Sequence, residues 1–281
     1  MPVHERAALA SAIAERHGER AEVFVTERTG HACELAKASV ARGARLVVAW
    51  GGDGTINDVA SALAFGDRAA MGIIPAGSGN GLARALGIVT RPERALMDAM
   101  TAEPRRIDVG ELGGRLFVNV AGVGFDAHVA AAFNAPDNPV RGLTGYALLT
   151  ARGLVSYTPR RYRITSRGRT RSVRALLVAV ANGTEFGNQI RISPGSSVDD
   201  GVLDLVVVEE RSRLTTIWNM RRLVTQSIER ASIWSSAPVT DAIIESDAPM
   251  TFHVDGEPVA GGTRLQIRTH ARALRVCVRP T

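Results

Sequence analysis

Two apolar stretches of this chain each run straight into a glycine-rich loop and then into a helical pattern. No other feature constrains the fold as strongly. The first is Val47-Val48-Ala49-Trp50 followed by Gly51-Gly52-Asp53-Gly54-Thr55, and the second is Ile73-Ile74-Pro75 followed by Ala76-Gly77-Ser78-Gly79-Asn80. A strand that ends in such a loop and opens into a helix leaves backbone N–H groups unbonded at the helix start, the layout of a phosphate cradle. Asp53 is foreign to a loop that only meets phosphate, because it adds negative charge where negative charge must bind. A divalent cation reconciles the two. The plainer reading is an ordinary turn in which Asp53 caps the helix that follows.

The surrounding pattern places both loops in an α/β layer. Helical and strand patterns alternate over the first hundred residues: helix Arg6–His17, strand Glu22–Thr26, helix His31–Ala41, strand Leu46–Trp50, helix Ile56–Phe65, strand Met71–Pro75, helix Gly81–Leu86 and helix Pro92–Met100. That alternation predicts a parallel sheet covered on both faces, with ligands beyond the carboxyl ends of its strands, where both loops fall. From Arg106 the rhythm turns to short alternating strands, at Ile107–Leu112, Arg115–Ala121, Arg161–Ser166, Val173–Ala181, Leu203–Glu209, Ala242–Glu245, Met250–Val254, Arg264–Thr269 and Leu274–Arg279, with helical insertions near 140–157 and 214–227. Such a series predicts an antiparallel sandwich. The expected fold is therefore α/β plus all-β, with an α/β domain over residues 1–105, a β-sandwich domain over 106–281 and a cleft between them.

Composition removes several function classes. No apolar run approaches the roughly 20 residues a membrane span requires, and the start Met1-Pro2-Val3-His4-Glu5-Arg6 lacks the apolar core of a secretion signal, so a cytoplasmic chain is expected. Cys33 and Cys277 are the only cysteines and have no metal-type spacing, which reads as two reduced thiols. The formal charge of +6 rests on arginine, since Lys37 is the only lysine. That one lysine lies in neither a Gly-x-x-x-x-Gly-Lys loop nor a Val-Ala-Ile-Lys strand, which excludes two large phosphotransferase groups. A positive field favours anionic partners. Nucleic acid is not expected, because only Tyr157 and Tyr162 stand near the arginine-rich stretch as stacking partners.

With both loops placed, Gly51-Gly52-Asp53-Gly54-Thr55-Ile56-Asn57-Asp58 and Pro75-Ala76-Gly77-Ser78-Gly79-Asn80-Gly81-Leu82-Ala83-Arg84 resemble the diacylglycerol kinase catalytic-domain family, which includes bacterial lipid kinases and sphingosine kinases. The likeness continues through Arg106-Ile107-Asp108-Val109-Gly110, Phe117-Val118-Asn119-Val120-Ala121-Gly122-Val123-Gly124-Phe125-Asp126, Asp200-Gly201-Val202-Leu203-Asp204 and His253-Val254-Asp255-Gly256-Glu257-Pro258. The resemblance implies ATP in the interdomain cleft, with Mg²⁺ assisting transfer of its γ-phosphate to a lipid hydroxyl. It implies nucleotide contacts from Gly52, Asp53, Gly54, Thr55, Ile56, Asn57 and Asp58, with Ser78 and, at the end of the second predicted strand, Thr26. It places the catalytic Mg²⁺ on Asp53 and Asp108, largely through waters because Mg²⁺ dehydrates reluctantly. Glu257 is the expected proton acceptor, with Asp255 beside it. A separate structural Mg²⁺ is implied at Asp200 with backbone carbonyls near Ser197 and Val202. Asp255-Gly256 and Asp200-Gly201 are also strong hairpin signals, and Asp108 reads equally as a strand-end carboxylate.

Two departures bear on activity. The family opens on a strand with an Asn-Pro-x-Ser-Gly loop, which residues 1–20 do not contain, and Gly81 stands where many bacterial members carry an aspartate. The missing strand makes a non-catalytic nucleotide- or lipid-binding relative one alternative reading, and the Gly-Gly-Asp-Gly loop, which related superfamilies share, makes an NAD kinase-like small-molecule kinase the other. Asp126 falls near the position where sphingosine-kinase-like members place a headgroup carboxylate, and reads equally as a capping residue. A lipid presented at a membrane surface would be the partner. Peripheral contact would come from the apolar face Val140, Leu143, Ala147, Leu148 and Leu154 or from the arginines between Arg160 and Arg174, which read equally as a packed helix and a charged edge strand. A homodimer is left open.

Overall fold

The computed structural model describes residues 3–135, 145, 149–150, 152–153, 156–186, 190–211, 215, 218–219, 222 and 227–279. The helical face of residues 140–154 and the second helical insertion fall largely outside them. The chain begins with α1 (Val3–Arg16) and α2 (His31–Ala41), then β1 (Leu46–Gly51), α3 (Asp53–Leu63), β2 (Ala70–Pro75), α4 (Gly81–Ala85) and α5 (Pro92–Thr101). It continues through β3 (Pro104–Leu112), β4 (Arg115–Phe117), β5 (Val120–Gly124), α6 (Phe125–Asn134), β6 (Arg160–Ser166), β7 (Arg169–Ala181) and β8 (Leu203–Glu209). The strands β9 (Trp234–Val239), β10 (Asp241–Ser246), β11 (Thr251–Val254), β12 (Glu257–Ala260) and β13 (Arg264–Cys277) complete it.

β1 and β2 pair in parallel with Leu46 opposite Ala70 and Gly51 opposite Pro75, so both glycine loops leave the sheet at one end. The strand order β1-β2-β13-β10-β6-β7-β5-β11-β12, with β3 and β4 branching from β13 and β8 and β9 from β7, carries this parallel pair directly into the antiparallel region. The hinge strand is β13. Its first half pairs with β10, while its second half reaches Met71 of β2 through Val276. Leu274 and Val276 share a core with Ile56, Val59, Leu63, Met71 and Ile73, whereas Leu265 and Ile267 share one with Phe117, Tyr162, Val178, Ile244 and Phe252. Each such side chain contributes about 1.5–3 kcal/mol through burial. One strand anchored in both cores therefore holds the two layers in register.

Several expectations change in detail. Arg264–Thr269 and Leu274–Arg279 are one strand with an irregularity between His270 and Leu274, where Arg272 adopts φ 54°. The cause is bonding to other elements: the Arg272 N–H donates to Asp108 Oδ1 at 2.7 Å and the Ala273 carbonyl accepts the Phe65 N–H at 2.8 Å. Arg115–Ala121 divides into β4 and β5 because the N–H groups of Val118 and Asn119 turn to a side chain, Asp255. The expected strand Glu22–Thr26 does not form. A strand exists only where a neighbour completes its ladder, yet β1 pairs with β2 alone and Val23, Phe24 and Val25 remain exposed. The helix expected from Ile56 begins three residues earlier, so Asp53 lies in its first turn. Its buried Ile56, Val59, Ala60 and Leu63 keep the amphipathic spacing.

Candidate active site

The two glycine loops pack against each other backbone to backbone: a Cβ on Gly77 would lie 2.6 Å from Gly52 Cα. Asp53 locks them together. Its Oδ1 accepts the Gly81 N–H at 2.8 Å and its Oδ2 accepts the Asn80 N–H at 2.9 Å, so it caps α4 of the second loop rather than its own helix. The second loop is braced internally as well, since Asn80 Oδ1 accepts the Gly77 N–H and Asn80 Nδ2 donates to the Gly77 carbonyl. No side chain caps α3, and its first intrahelical bond is Ile56 N–H to the Gly52 carbonyl. The amides of Gly54 and Thr55 therefore have no partner among the described residues and can face an anion. Burial raises the Asp53 pKa above the ordinary carboxylate value, and the N–H donors of Gly81 and Asn80 oppose that rise.

Across from this cradle stands the β11–β12 hairpin. Its two turn residues, Asp255 at φ 48° and Gly256 at φ 88°, have the paired positive φ of a tight hairpin. Asp255 is buried and its carboxylate accepts four N–H groups: Val118 and Asn57 Nδ2 at Oδ2, Asn119 and Val120 at Oδ1. Burial raises its pKa, opposed by those donors, and the charge of Asp53 adds to the rise. Such a saturated carboxylate is a structural clamp. Glu257 is its opposite. Its carboxylate makes no hydrogen bond among the described residues, and its Oε1 would stand 2.8 Å from a Cβ on Gly54. Burial raises its pKa, and the negative charge of Asp58 raises it further. A free carboxylate with a raised pKa over the first glycine loop is chemically suited to accept a proton.

The remaining first-loop side chains serve the frame. Asn57 Nδ2 donates to the Leu116 carbonyl at 3.0 Å as well as to Asp255, tying α3 to β4. Asp58 Oδ2 accepts the Gly30 N–H ahead of α2, Ile56 is buried in the core, and the Thr55 side chain folds back against Gly51. Ser78 is exposed beside the cradle, while Thr26 lies in exposed irregular chain.

Asp108 belongs to a second cluster. It is fully buried, its Oδ2 accepts the Gly201 N–H at 2.6 Å, its Oδ1 accepts Arg272 N–H, and its own N–H reaches the Val198 carbonyl. Asp200 accepts the Val202 N–H at 3.1 Å, and burial followed by the charges of Asp108 and Asp204 raises its pKa. Ser197 Oγ donates to Asp199. The structure thus groups Asp108 with the Asp200 loop and Asp53 with Asp255. No set of three or more His, Cys, Asp or Glu among the described residues is arranged to enclose a metal directly. The donor chemistry suits an ion that keeps most of its waters, as Mg²⁺ does, because carboxylates gather at each cluster: the charge of Asp53 raises the Asp255 pKa, and those of Asp108 and Asp204 raise that of Asp200.

Family-model matches cover nearly all of this arrangement: the diacylglycerol kinase catalytic domain over residues 3–112 and the YegS C-terminal NAD kinase beta sandwich-like domain over residues 119–278. The chain belongs to the diacylglycerol kinase family. A protein of Chromohalobacter salexigens named probable lipid kinase YegS-like is 32% identical over 247 residues, covering 86% of this chain and 78% of the relative. A diacylglycerol kinase of Bacillus anthracis has the same fold, with TM-score 0.74, 18% identity and coverage of 100% of this chain and 93% of that one. An NAD kinase of Archaeoglobus fulgidus in complex with ATP shares the fold more distantly, at TM-score 0.56 and 14% identity over 99% and 90% of the two chains.

Against that family pattern, Gly81 has a local explanation. A Cβ there would run into Asn119 Nδ2, so the buried Asn119 amide fills the space a side chain at 81 would need. Asn119 and Asn182 are site-frame residues that sequence reading does not single out. Asn182 Nδ2 joins the Asp108 and Val118 carbonyls and its N–H reaches the Asn119 carbonyl, linking the two carboxylate clusters. Asp126, an open choice between headgroup and cap, is buried against His253. The arginine-rich hairpin is not brought to the site. Arg163, Arg171 and Arg174 pair with Glu245, Glu209 and Glu210, and the tip at Arg167 lies at the far end of the 13-residue β7 from Ala181. At strand rise that is about 40 Å. No helix among the described residues is long and apolar enough to cross a membrane.

Proposed function

We propose that this protein is an ATP-dependent lipid kinase that transfers the γ-phosphate to a hydroxyl of a lipid such as diacylglycerol or a sphingoid base. The observation that carries the reading is the Glu257 carboxylate held over Gly54, beside amides of Gly54 and Thr55, all without a hydrogen-bond partner among the described residues. Phosphoryl transfer is mainly positioning and charge neutralisation, so donors for phosphate and one base near the acceptor are the parts required. In this reading the 1–105 layer supplies the nucleotide side and the 106–281 layer the base.

The Gly54 and Thr55 amides hold phosphate oxygens, with Ser78 at the rim and Thr26 on the adenosine side. Ile56 takes part only by fixing the start of α3, since its side chain is in the core and its N–H bonds the Gly52 carbonyl. Asn57 and Asp58 act by fixing α3 against β4 and α2. Asp53 keeps the two loops in contact and turns its remaining lone pairs toward a hydrated cation. Mg²⁺, when bound there, neutralises charge on the transferred phosphoryl group. Glu257 takes the acceptor hydroxyl proton on a carboxylate oxygen while Asp255 holds the turn rigid. A second Mg²⁺ would be held by Asp200 with backbone carbonyls near Ser197 and Val202, on a loop that Asp108 fixes through the Gly201 N–H. The lipid is presented by a membrane surface that the protein meets peripherally from the cytoplasm.

The test is transfer from radiolabelled ATP to a panel of diacylglycerol, monoacylglycerol, sphingosine and NAD. Label is expected on a lipid and to depend on Mg²⁺. Label on NAD alone would replace the lipid reading with an NAD kinase-like one, and no transfer with intact ATP binding would leave a binding protein.

A further inference from the structure

The buried pair Asp126 and His253 is unused by the chemistry above, yet it leads directly to Glu257. Asp126 lies in the first turn of α6, and a Cβ on Gly122 would collide with its Oδ2, so that glycine makes room for the carboxylate. His253 and Asp126 are 3% and 6% exposed, with His253 Nε2 3.2 Å from Asp126 Oδ2. The other ring nitrogen, Nδ1, accepts the Gly256 N–H at 3.3 Å. With Nδ1 accepting, a neutral ring carries its proton on Nε2 and donates it to Asp126. The opposite end of α6 holds the same residue: Asn134 Nδ2 donates to the Gly256 carbonyl at 3.0 Å. Gly256, immediately before Glu257, is therefore held at its carbonyl by α6 directly and at its N–H by His253 of β11, whose ring α6 backs through Asp126.

We propose that α6, through Asp126–His253 and through Asn134, is a positioning clamp that sets where Glu257 stands over the first glycine loop. This rests on Glu257 as the proton acceptor. Turnover is sensitive to such placement, since a displacement of about 1 Å can cost on the order of 100-fold.

The experiment compares His253→Asn, whose Oδ1 can take the Nδ1 position, with His253→Gln, which keeps a donor for Asp126 and loses the Gly256 contact. Asn134→Ala and Glu257→Gln complete the set. Transfer from ATP is measured on the lipid of the panel that the wild type phosphorylates, together with amide exchange over residues 254–257. His253→Gln is expected to lower kcat by about tenfold or more with the ATP KM within about twofold, and to speed Gly256 exchange. His253→Asn, which keeps the Gly256 contact and loses the one to Asp126, should fall between wild type and His253→Gln in both, as should Asn134→Ala. Equal kcat and equal exchange in His253→Gln and wild type would overturn the clamp, as would wild-type kcat and exchange in both His253→Asn and Asn134→Ala, which would leave α6 no part in it. If Glu257→Gln keeps wild-type kcat, the reading of Glu257 fails instead, and the exchange measurement, which needs no acceptor, still decides whether α6 holds Gly256.

Discussion

Two Asp-Gly turns, Asp255-Gly256 and Asp200-Gly201, are built by opposite means. At the first, the turn aspartate itself points inward, is buried and saturates its carboxylate with N–H donors, which leaves Glu257 as the outward carboxylate. At the second, Asp200 stays at the surface with one contact to Val202, and the inward anchor comes from another strand, Asp108, which accepts the Gly201 N–H. Each turn thus pairs one buried, fully bonded carboxylate with one less occupied carboxylate of raised pKa. A rigid frame requires only that some carboxylate be buried and satisfied. The less occupied partner is left for a proton or a cation.

The sharpest way to break that comparison is to exchange the roles. Asp255→Ala leaves the N–H groups of Val118, Asn119 and Val120 without their acceptor and the Asn57 amide with the Leu116 carbonyl alone. Unfolding in urea should show a loss of about 4 kcal/mol, enough to threaten the fold, because buried donors stranded by a lost charged partner cost about 1–3 kcal/mol each and do not add fully. Glu257→Gln should do the reverse. Its kcat should fall by about 10²–10⁴, the usual worth of a general base, while the unfolding free energy in urea stays within about 0.5 kcal/mol of wild type. Equal stability loss in the two variants would erase the distinction between clamp and base.

The local parts of this arrangement were legible in the sequence. Glycine loops after apolar strands, the helix at His31–Ala41 and the strand Leu203–Glu209 depend on neighbours within a few residues, and they form as read. What escaped depends on distant partners. Residues 22–26 are apolar enough for a strand, but a ladder needs a neighbour that periodicity cannot supply. The short β12 was lost because its first residue, Glu257, looks like turn chemistry. Asn57 and Asn119 sit in recognisable motifs, but their roles in the frame, like that of Asn182, come from bonds to residues up to 198 positions away. Asp53 was recognised by its odd setting among glycines, yet its bonds to Asn80 and Gly81 require both loops in space. The pairing of Asp126 with His253 was equally hidden, although each sits in a recognisable motif.

The Asp200 turn supports a smaller effect. If its exposed carboxylate takes Mg²⁺, thermal unfolding of the wild type should shift upward with added MgCl₂, by about 1.4 kcal/mol at tenfold excess over Kd. Asp200→Asn should reduce that shift, leaving what a cation at Asp53 contributes. The same shift in Asp200→Asn and wild type would place the ion elsewhere and end the analogy between the two turns.

The smallest expected effect concerns charge alone. Burial raises the Glu257 pKa above its ordinary 4.5, and Asp58 raises it further. A base works only when deprotonated, so kcat should fall as pH drops through that raised value, giving an acidic limb above pH 4.5. Asp58→Asn removes the neighbouring charge while its Oδ1 can still accept the Gly30 N–H. The limb should then move to lower pH, because less repulsion lets the carboxylate stay ionised longer, with the plateau kcat preserved. Arg115, the cation that faces Asp58, partly offsets its charge, so Arg115→Gln should move the limb the other way. An acidic limb that ignores both substitutions would mean that the titrating base is not Glu257.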